Sequence, residues 1–275
     1  MTILVTGATG TVGRLLVDEL LAAGQQVRAL TRNPDKAALP QGVEVVAGDI
    51  TGPAAELEAA FRGVRAVHLI TSAGDSYQPL PDPAGLVALA VASGVTRFTL
   101  LGSPVGQEAE AAVKDSGVAW TVLQPVEFMS NALGWAESIR SEGVVREPFG
   151  SSLSALVHEA DIAAVAAVAL TQDGHAGKEY PVTGPEALTI PQKVATIAEA
   201  AGRPVEYVEL SEAEARKGWQ EAGYFSEEDI EFFVLMGTNP PEIGYTVQPT
   251  VEQVTGRPAR TFAQWAKENA QAFRD

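Results

Sequence analysis

The chain has 275 residues and a mass of 28.8 kDa, enough for one large domain or two small ones. Hydrophobic residues make up 46% and charged residues 20%, which excludes wholesale disorder. The formal net charge of -16 would repel phosphate backbones and argues against nucleic-acid binding, and the lack of cysteine excludes disulfides, thiolate metal sites and cysteine nucleophiles.

The amino terminus and the apolar runs bear on where the protein works. No run reaches the roughly 18 apolar residues of a membrane-spanning helix. The segment 1–5 lacks the basic region of a signal peptide and leads directly into Gly7. We therefore expect a cytoplasmic protein without a membrane partner, and the cysteine-free composition is consistent with a reducing compartment.

The first half of the chain alternates short apolar runs with amphipathic segments. Strands are predicted at residues 3–5, 27–30, 43–47, 66–70, 98–101 and 120–123. Helices are predicted from Val12 to a C-cap at Gly24, and at residues 53–61, 85–93 and 107–115. Repeated strand–helix units of this length imply right-handed crossovers, so we expect an α/β fold with a doubly wound parallel sheet.

After residue 127 the alternation becomes less regular. Helices are predicted at residues 128–141, 161–170, 191–201, 212–222, 227–236 and near 262–273, and strands at residues 155–158, 179–182 and 205–210. The tail from Ser211 onward carries much of the aromatic content. We expect this tail to form a small cap over the carboxyl edge of the sheet, where open α/β sheets bind their ligands.

A glycine-rich loop lies between the first strand and the first helix. Its sequence is GATGTVG, a G-x-x-G-x-x-G spacing in a strand–turn–helix context. Glycines allow the backbone to approach a pyrophosphate closely, and the helix amino terminus offers N–H groups to that anion. The pattern predicts a dinucleotide site, and the alternative is a purely structural turn. The predicted contact residues of the loop are Gly7, Thr9, Gly10, Thr11, Val12 and Gly13.

The end of the second strand indicates which dinucleotide is bound. NAD enzymes usually carry an acidic residue about 20 residues past the loop, whereas the segment 29–33 has no carboxylate. Arg32 instead matches the 2′-phosphate of NADP(H) in geometry and charge, with Lys36 as an assisting cation. The alternative for Arg32 is a solvated surface arginine. The predicted cofactor is NADP(H).

Further cofactor contacts are predicted where the next two strands end. Asp49 and Ile50 follow the third strand and would border the adenine. Thr71, Ser72 and Ala73 follow the fourth strand and would pass near the nicotinamide ribose. Both segments are equally suited to ordinary turns, since Asp and Ser favour local backbone bonding.

The sixth predicted strand leads into Pro125, which we expect beside the nicotinamide. Phe128 and Met129 would wall an apolar substrate pocket, and Asn131 would hydrogen-bond a carbonyl of the substrate. The alternative is ordinary packing of the strand–helix junction, above all for Met129.

The histidines do not form a metal-binding pattern. His68, His158 and His175 lie on different predicted elements, so no metal is expected. His68 falls inside a strand, where we favour packing over ligation. For Asp161 we favour capping of a helix over residues 162–170 rather than a catalytic role.

Motifs along nearly the whole chain resemble the atypical short-chain dehydrogenase/reductases, specifically their NmrA-like or NAD(P)H-binding group. The matching segments are TILVTGATGTVG, VRALTRNP, VVAGDI, SGVAWTVLQPVEFMSN, VHEADIAAVAAVAL, YPVTGPEALT, GRPVEYVEL and VTGRPARTFAQWAKENAQAF. The resemblance implies a Rossmann-like cofactor domain with a small C-terminal substrate domain. It also implies that residues 7–13 hold the pyrophosphate and that Arg32 selects NADP(H).

One departure from the wider family concerns catalysis. Its usual Tyr-x-x-x-Lys pair belongs on the helix before SGVAWTVL, and this helix has no tyrosine. Glu110 takes the place of the lysine, and Lys114 lies beyond the expected register, so an acid/base mechanism built on that pair is excluded. Gln124 also replaces an arginine often found before the family's proline. Ser103, near the family's serine, and Asn131 remain as candidate proton donors.

Three functions remain open on these observations. The leading hypothesis is an NADPH-dependent reductase that transfers hydride to a small apolar acceptor of the quinone, azo or conjugated carbonyl type. The first alternative is a non-catalytic NADP(H)-sensing regulator with a protein partner. The second is an epimerase or isomerase, and the missing tyrosine argues most strongly against this one. We expect an NADP(H)-binding Rossmann-like domain at residues 1–130 and 151–183, and a smaller substrate or cap region at residues 131–150 and 184–275.

Overall fold

The structure is a computed structural model that describes residues 1–73, 78–223 and 225–274. The strands in these ranges are β1 (Thr2–Val5), β2 (Gln26–Thr31), β3 (Glu44–Ala47), β4 (Ala66–Ile70), β5 (Ser72–Ala73), β6 (Gln78–Pro79), β7 (Arg97–Leu101), β8 (Ala119–Pro125), β9 (Val144–Pro148), β10 (Lys178–Val182) and β11 (Glu206–Leu210). The helices are α1 (Thr11–Ala22), α2 (Glu58–Phe61), α3 (Pro83–Ala92), α4 (Gln107–Asp115), α5 (Ala136–Glu142), α6 (Glu159–Thr171), α7 (Ile190–Ala201), α8 (Glu212–Ala222), α9 (Glu227–Thr238), α10 (Thr250–Thr255) and α11 (Phe262–Glu268). Short 3-10 helices cover Pro34–Lys36, Ala54–Leu57, Met129–Trp135, Glu242–Gly244 and Ala270–Phe273.

Seven strands form one sheet in the order β10-β8-β7-β4-β1-β2-β3, and each pairing in it is parallel. The strand order reverses at β1, which pairs with β2 on one side and β4 on the other. Parallel strands need crossover connections, and helices such as α1, α3 and α4 supply them. The predicted α/β fold with a doubly wound parallel sheet is confirmed.

Two compact units divide the chain. The first comprises Met1–Pro125, Glu159–Val182 and Thr250–Arg257, and the second Val126–His158, Thr183–Pro249 and Pro258–Asp275. The seven-stranded sheet belongs to the first unit. In the second unit β9 and β11 form a separate parallel pair, in which Val145 lies opposite Tyr207.

The core of the first unit follows from alternation along the strands. Val67 and Leu69 on β4, and Phe98 and Leu100 on β7, are two residues apart and point to one face of the sheet. They pack in one buried cluster with Phe61 of α2. Burying large apolar side chains in this way is the main favourable contribution to folding.

The second unit has its own aromatic core. Phe262 and Trp265 of α11 stack with their ring centroids 5.3 Å apart, and Phe273 meets the Trp265 ring edge-on. They pack in one buried cluster with Ile139 of α5 and Ile197 of α7. These contacts anchor the carboxyl-terminal segment 262–273 within the unit.

Two sequence predictions outside the main sheet are wrong, and one strand pairing was missed. The strand predicted at 155–158 does not form: within that range only Val157 makes a β-bridge, an isolated one with Phe128. Asp161 is not the N-cap residue of the helix, since α6 already begins at Glu159 and places Asp161 in its first turn. The pairing of β9 with β11 was missed, because β9 itself was not predicted and its partner strand lies about sixty residues further along the chain.

His68 is a fully buried titratable group in the middle of the main sheet. Its Nδ1 lies 2.9 Å from the hydroxyl of Thr99, and its Nε2 has no hydrogen-bond partner among the described residues. Burial disfavours the charged imidazole and lowers the pKa of His68 to about 4. His68 is therefore neutral in the native protein near pH 7.

We expect His68 to make stability depend on pH. Its pKa is about 4 in the native state and 6.5 when unfolded, so between these values the unfolded chain binds the additional proton. Stability therefore falls as the pH drops below 6.5, and by pH 5 the loss from His68 is roughly 2 kcal/mol. Urea unfolding of the wild type and of His68→Leu at pH 7.5 and 5.0 measures it. The wild type should lose about 2 kcal/mol more than the variant, and equal losses would contradict the assignment.

Candidate functional site

The point where the strand order reverses lies between β1 and β4. Ligands of open α/β sheets bind in the crevice outside the carboxyl ends of the strands at such a point. The structure has a pocket in the first unit at this place, formed where β1, β2, β3 and β4 end. It is lined by Thr6, Gly7, Thr9, Leu30, Thr31, Arg32, Gly48, Asp49, Ile50 and Ile70.

The glycine loop over residues 7–13 forms one wall of this crevice. Gly7 has a φ of 61°, and the Gly10 N–H donates to its carbonyl oxygen at 2.9 Å. A Cβ on Gly13 would overlap the Gly7 carbonyl oxygen and lie 2.9 Å from the Cα of Ala8, so only glycine fits there. Helix α1 begins at Thr11, and its first N–H groups and positive dipole end are suited to a pyrophosphate.

Arg32 lies directly after β2 with its side chain exposed. It makes no hydrogen bond or salt bridge with any described residue. The Asp49 carboxylate in the same pocket accepts the backbone N–H of Thr51 at 2.9 Å and its hydroxyl at 2.7 Å. These two bonds, with a smaller contribution from the charge of Arg32, lower the pKa of Asp49. The Arg32 guanidinium is therefore available for an external anion.

The same pocket contains residues that the sequence analysis did not predict, among them Leu30, Gly48 and Ile70. A Cβ on Gly48 would lie 2.6 Å from Leu57 Cδ2 and 2.7 Å from Leu30 Cδ1, so a larger residue there would displace these buried leucine side chains. The glycine directly before Asp49 was the available signal. No sequence signal marks Ile70, because its position beside Gly7 arises only from the pairing of β1 with β4.

The other predicted cofactor residues lie outside that pocket lining. Lys36 is exposed and ends the 3-10 helix that follows Arg32. Ser72 and Ala73 form β5, and Pro125 is the last residue of β8. In the glycine loop, Val12 is 4% exposed and packs inward, which leaves its backbone for contact. Their roles toward a cofactor stay predictions.

Thr71 and Ser103 form a hydroxyl pair in the first unit. The Thr71 hydroxyl donates to the Leu101 carbonyl at 2.8 Å, and its oxygen lies 3.1 Å from the Ser103 hydroxyl oxygen. Because the Thr71 proton is already given to Leu101, the Ser103 hydroxyl donates to Thr71. A Cβ on Gly106 would overlap the Thr71 hydroxyl, so glycine there keeps the pair in place. The Ser103 proton is therefore engaged inside the protein.

The helix that would carry the usual Tyr-x-x-x-Lys pair is α4, at the position the sequence predicts. Lys114 Nζ donates to Glu179 at 2.7 Å, lies 3.5 Å from Glu110 and sits 5.2 Å from the ring centroid of Trp120. The bond to Glu179 is the main reason that the pKa of Lys114 is raised. Lys114 is thus held as a cation by carboxylates, and α4 offers no catalytic tyrosine.

The predicted substrate residues belong to the second unit. Phe128 is half-buried and Asn131 is exposed, whereas Met129 is only 1% exposed and packs in the core of that unit. Met129 therefore takes the packing role that the sequence left open. Beside it, Lys193 is buried and donates to the Glu127 carboxylate at 2.7 Å. This pair ties the segment after β8 to α7.

The two remaining histidines each lie within hydrogen-bond distance of one polar side chain. His158 Nε2 lies 3.1 Å from a carboxylate oxygen of Glu268, and His175 Nδ1 lies 2.9 Å from the Tyr180 hydroxyl. Within the described parts of the chain, no group of three or more His, Asp or Glu side chains is arranged to hold a metal ion. No helix among the described residues is both long and apolar enough to cross a membrane.

Comparisons with known proteins agree with this geometry. A family model described as NAD(P)H-binding matches residues 7–108. The (4-alkanoyl-5-oxo-2,5-dihydrofuran-3-yl)methyl phosphate reductase of Streptomyces griseus is 41% identical to this chain. The alignment covers 98% of this chain and 99% of the reductase. The NAD(P)H azoreductase of Xenophilus azovorans is 38% identical, with the same two coverages. The structure of the Escherichia coli quinone oxidoreductase QOR2 complexed with NADPH superposes with a TM-score of 0.81 at 28% identity, over 97% of this chain and 99% of that one.

Proposed function

The chain belongs to the NmrA-like, NAD(P)H-binding group of the atypical short-chain dehydrogenase/reductases, and on this premise we propose that it reduces a small, planar, apolar acceptor of the quinone, azo or conjugated carbonyl type. It is an oxidoreductase, and its cofactor is NADP(H). A small-molecule substrate follows from the same relatives. The choice of acceptor class and the roles of individual residues are the proposal.

The observation that supports NADPH as the reductant is Arg32 at the end of β2, which has no hydrogen-bond or ion-pair partner among the described residues and lies in a segment without a carboxylate. The glycine loop and the start of α1 would hold the pyrophosphate, while Arg32 and Lys36 would bind the 2′-phosphate. Asp49 and Ile50 would border the adenine. Thr71, Ser72, Ala73 and Pro125 would line the path toward the nicotinamide, which supplies a hydride when NADPH is bound.

The proton that accompanies the hydride would come from solvent. The Ser103 hydroxyl donates to Thr71, Lys114 is engaged by Glu179 and Glu110, and α4 carries no tyrosine. Catalysis would then depend on positioning and on exclusion of water around the reacting carbon rather than on an acid/base pair. We propose that Phe128 and Asn131 contact the acceptor and that residues 131–150 and 184–275 form the substrate region.

The names of the relatives support this class of acceptor. They describe reductases of azo compounds, of quinones and of an oxo-dihydrofuran phosphate, and the last is a conjugated carbonyl compound. Each of these acceptors has a conjugated group that accepts two electrons. The furan compound also carries a charged phosphate, so the names support the conjugated group of the acceptor and not its apolar character. The chain also lacks cysteine, and we propose the reducing cytoplasm as its location.

A second candidate is a regulator that binds NADP(H) and reports the redox state to a protein partner. The observation that favours it is the missing tyrosine, together with the engagement of Lys114 in ion pairs. Such a protein would bind the cofactor without turnover.

The test is NADPH oxidation at 340 nm against a panel of quinones, azo dyes and conjugated carbonyl compounds, with NADH in parallel. We expect turnover with at least one acceptor and a preference for NADPH. Titration of NADPH by its fluorescence gives the binding constant in the same samples. Tight binding without oxidation of NADPH by any acceptor would contradict the reductase and favour the regulator.

A further inference from the structure

Arg14, in the first turns of α1, joins two loops through backbone carbonyls. Its Nη1 donates to the carbonyl oxygen of Ala38 at 2.7 Å, and its Nη2 donates to that of Ala37 at 3.1 Å. The same Nη2 also lies 3.5 Å from the carbonyl oxygen of Thr9 in the glycine loop. One guanidinium therefore connects the glycine loop to the turn that follows β2.

That turn contains both cations assigned to the 2′-phosphate. It leaves β2 at Arg32, forms the 3-10 helix Pro34–Lys36 and ends at Ala37 and Ala38. Ala37 is 2% exposed, and Ala38 has a φ of 46°, a left-handed conformation that disfavours a residue with a side chain. The surroundings must hold such a conformation in place, and the two strong bonds from Arg14 do so.

All the acceptors of Arg14 are neutral carbonyls, and Arg14 makes no salt bridge with any described residue. Its charge is therefore not cancelled by a carboxylate. Its planar fork is suited to bonding two adjacent carbonyls at once, which a lysine cannot reproduce. The bonds hold a short segment in one conformation before the cofactor binds. Binding then does not have to order that segment at a cost in conformational entropy.

We propose that Arg14 is the positioning residue for recognition of the 2′-phosphate. It does not contact the phosphate itself. It fixes the turn over residues 33–38 against the glycine loop, so that Arg32 and Lys36 are preorganised for the phosphate and the protein prefers NADPH to NADH. This inference rests on the assignment of Arg32 and Lys36 given above and adds a residue that acts through them.

The test measures binding of two cofactor fragments by calorimetry, so it needs no acceptor and does not depend on the reductase activity. Adenosine 2′,5′-bisphosphate carries the 2′-phosphate, and AMP does not. We expect Arg14→Gln to weaken the bisphosphate by about tenfold and to change AMP by less than about twofold. Arg14→Lys should lie between the wild type and Arg14→Gln.

Arg65→Gln is the matched control, since its Nη1 also donates to a backbone carbonyl, that of Gly94 at 3.2 Å, just before β4 begins. It should change neither fragment. Equal weakening of both fragments by Arg14→Gln, or no weakening, would overturn the proposal. If Arg14→Gln does not fold, Arg14→Lys is measured instead. Equal weakening of both fragments by Arg14→Lys, or no weakening, would then overturn the proposal.

A double variant separates positioning from direct contact. If Arg14 acts through Arg32, adding Arg14→Gln to Arg32→Ala should weaken the bisphosphate by clearly less than it does in the wild type. An undiminished loss would show that Arg14 acts independently of Arg32 and would overturn the proposal. A wild type that binds the two fragments equally would instead refute the 2′-phosphate assignment itself, which distinguishes the two failures.

Discussion

Replacing Arg32 by alanine is expected to lower kcat/KM for NADPH by about 100-fold, because the charge-assisted bonds to the 2′-phosphate are lost. The value for NADH should change by less than about threefold, since NADH has no group for Arg32 to bind. Arg32→Lys should recover only part of the loss, because an ammonium cannot form the planar two-bond contact. Initial rates at 340 nm with each cofactor measure these changes.

The control for this variant is Arg62→Ala, which removes an exposed arginine next to α2, away from the pocket lining. It should leave both cofactors unaffected. Equal losses with NADPH and NADH in Arg32→Ala would show that Arg32 supports the fold rather than the choice of cofactor. An unchanged preference for NADPH would show that Arg32 does not bind the 2′-phosphate and is a solvated surface arginine, the alternative given in the sequence analysis.

Replacing Gly13 by alanine is expected to abolish binding of both NADPH and NADH. The new Cβ would overlap the Gly7 carbonyl oxygen, so either α1 or the glycine loop must move. Forcing extra volume into a packed site costs about 1–3 kcal/mol of stability, and the displaced loop no longer presents its N–H groups to the pyrophosphate. Urea unfolding and NADPH fluorescence titration measure the two effects.

Gly218→Ala is the matched control, because Gly218 lies within α8 and a Cβ there would meet nothing within 4 Å. Alanine favours a helix interior over glycine by up to about 1 kcal/mol, so this variant should be neutral or slightly more stable. Normal NADPH affinity in Gly13→Ala would contradict the role given to the loop.

The parts of the fold that the sequence predicted are those encoded by local pattern. The short apolar runs at residues 3–5 and 98–101 become buried strands because central strands of a parallel sheet are covered on both faces, and Leu4 and Phe98 share one core cluster. The glycine loop was predicted because the turn, the close approach at Gly13 and the helix start each need a particular residue type. For the same reason, the position of the pocket at the end of β1 could be predicted from the sequence.

The parts that were missed depend on distant partners. Val145 in β9 lies opposite Tyr207 in β11, a pairing between segments about sixty residues apart that no local period encodes. The role of Arg14 was not predicted either, because its acceptors Ala37 and Ala38 are 23 and 24 residues away. The hydroxyl pair of Thr71 and Ser103 is likewise formed only when separate strands end side by side.

Direct hydride transfer from NADPH to the acceptor is the central claim, and isotope transfer tests it most directly. The two C4-deuterated diastereomers of NADPH are each incubated with the enzyme and a conjugated carbonyl acceptor, and the product is analysed by mass spectrometry. The account predicts deuterium on the product carbon from one diastereomer only, with the second hydrogen taken from solvent. NADPH that binds tightly but transfers no deuterium to this or any other acceptor of the panel would contradict it.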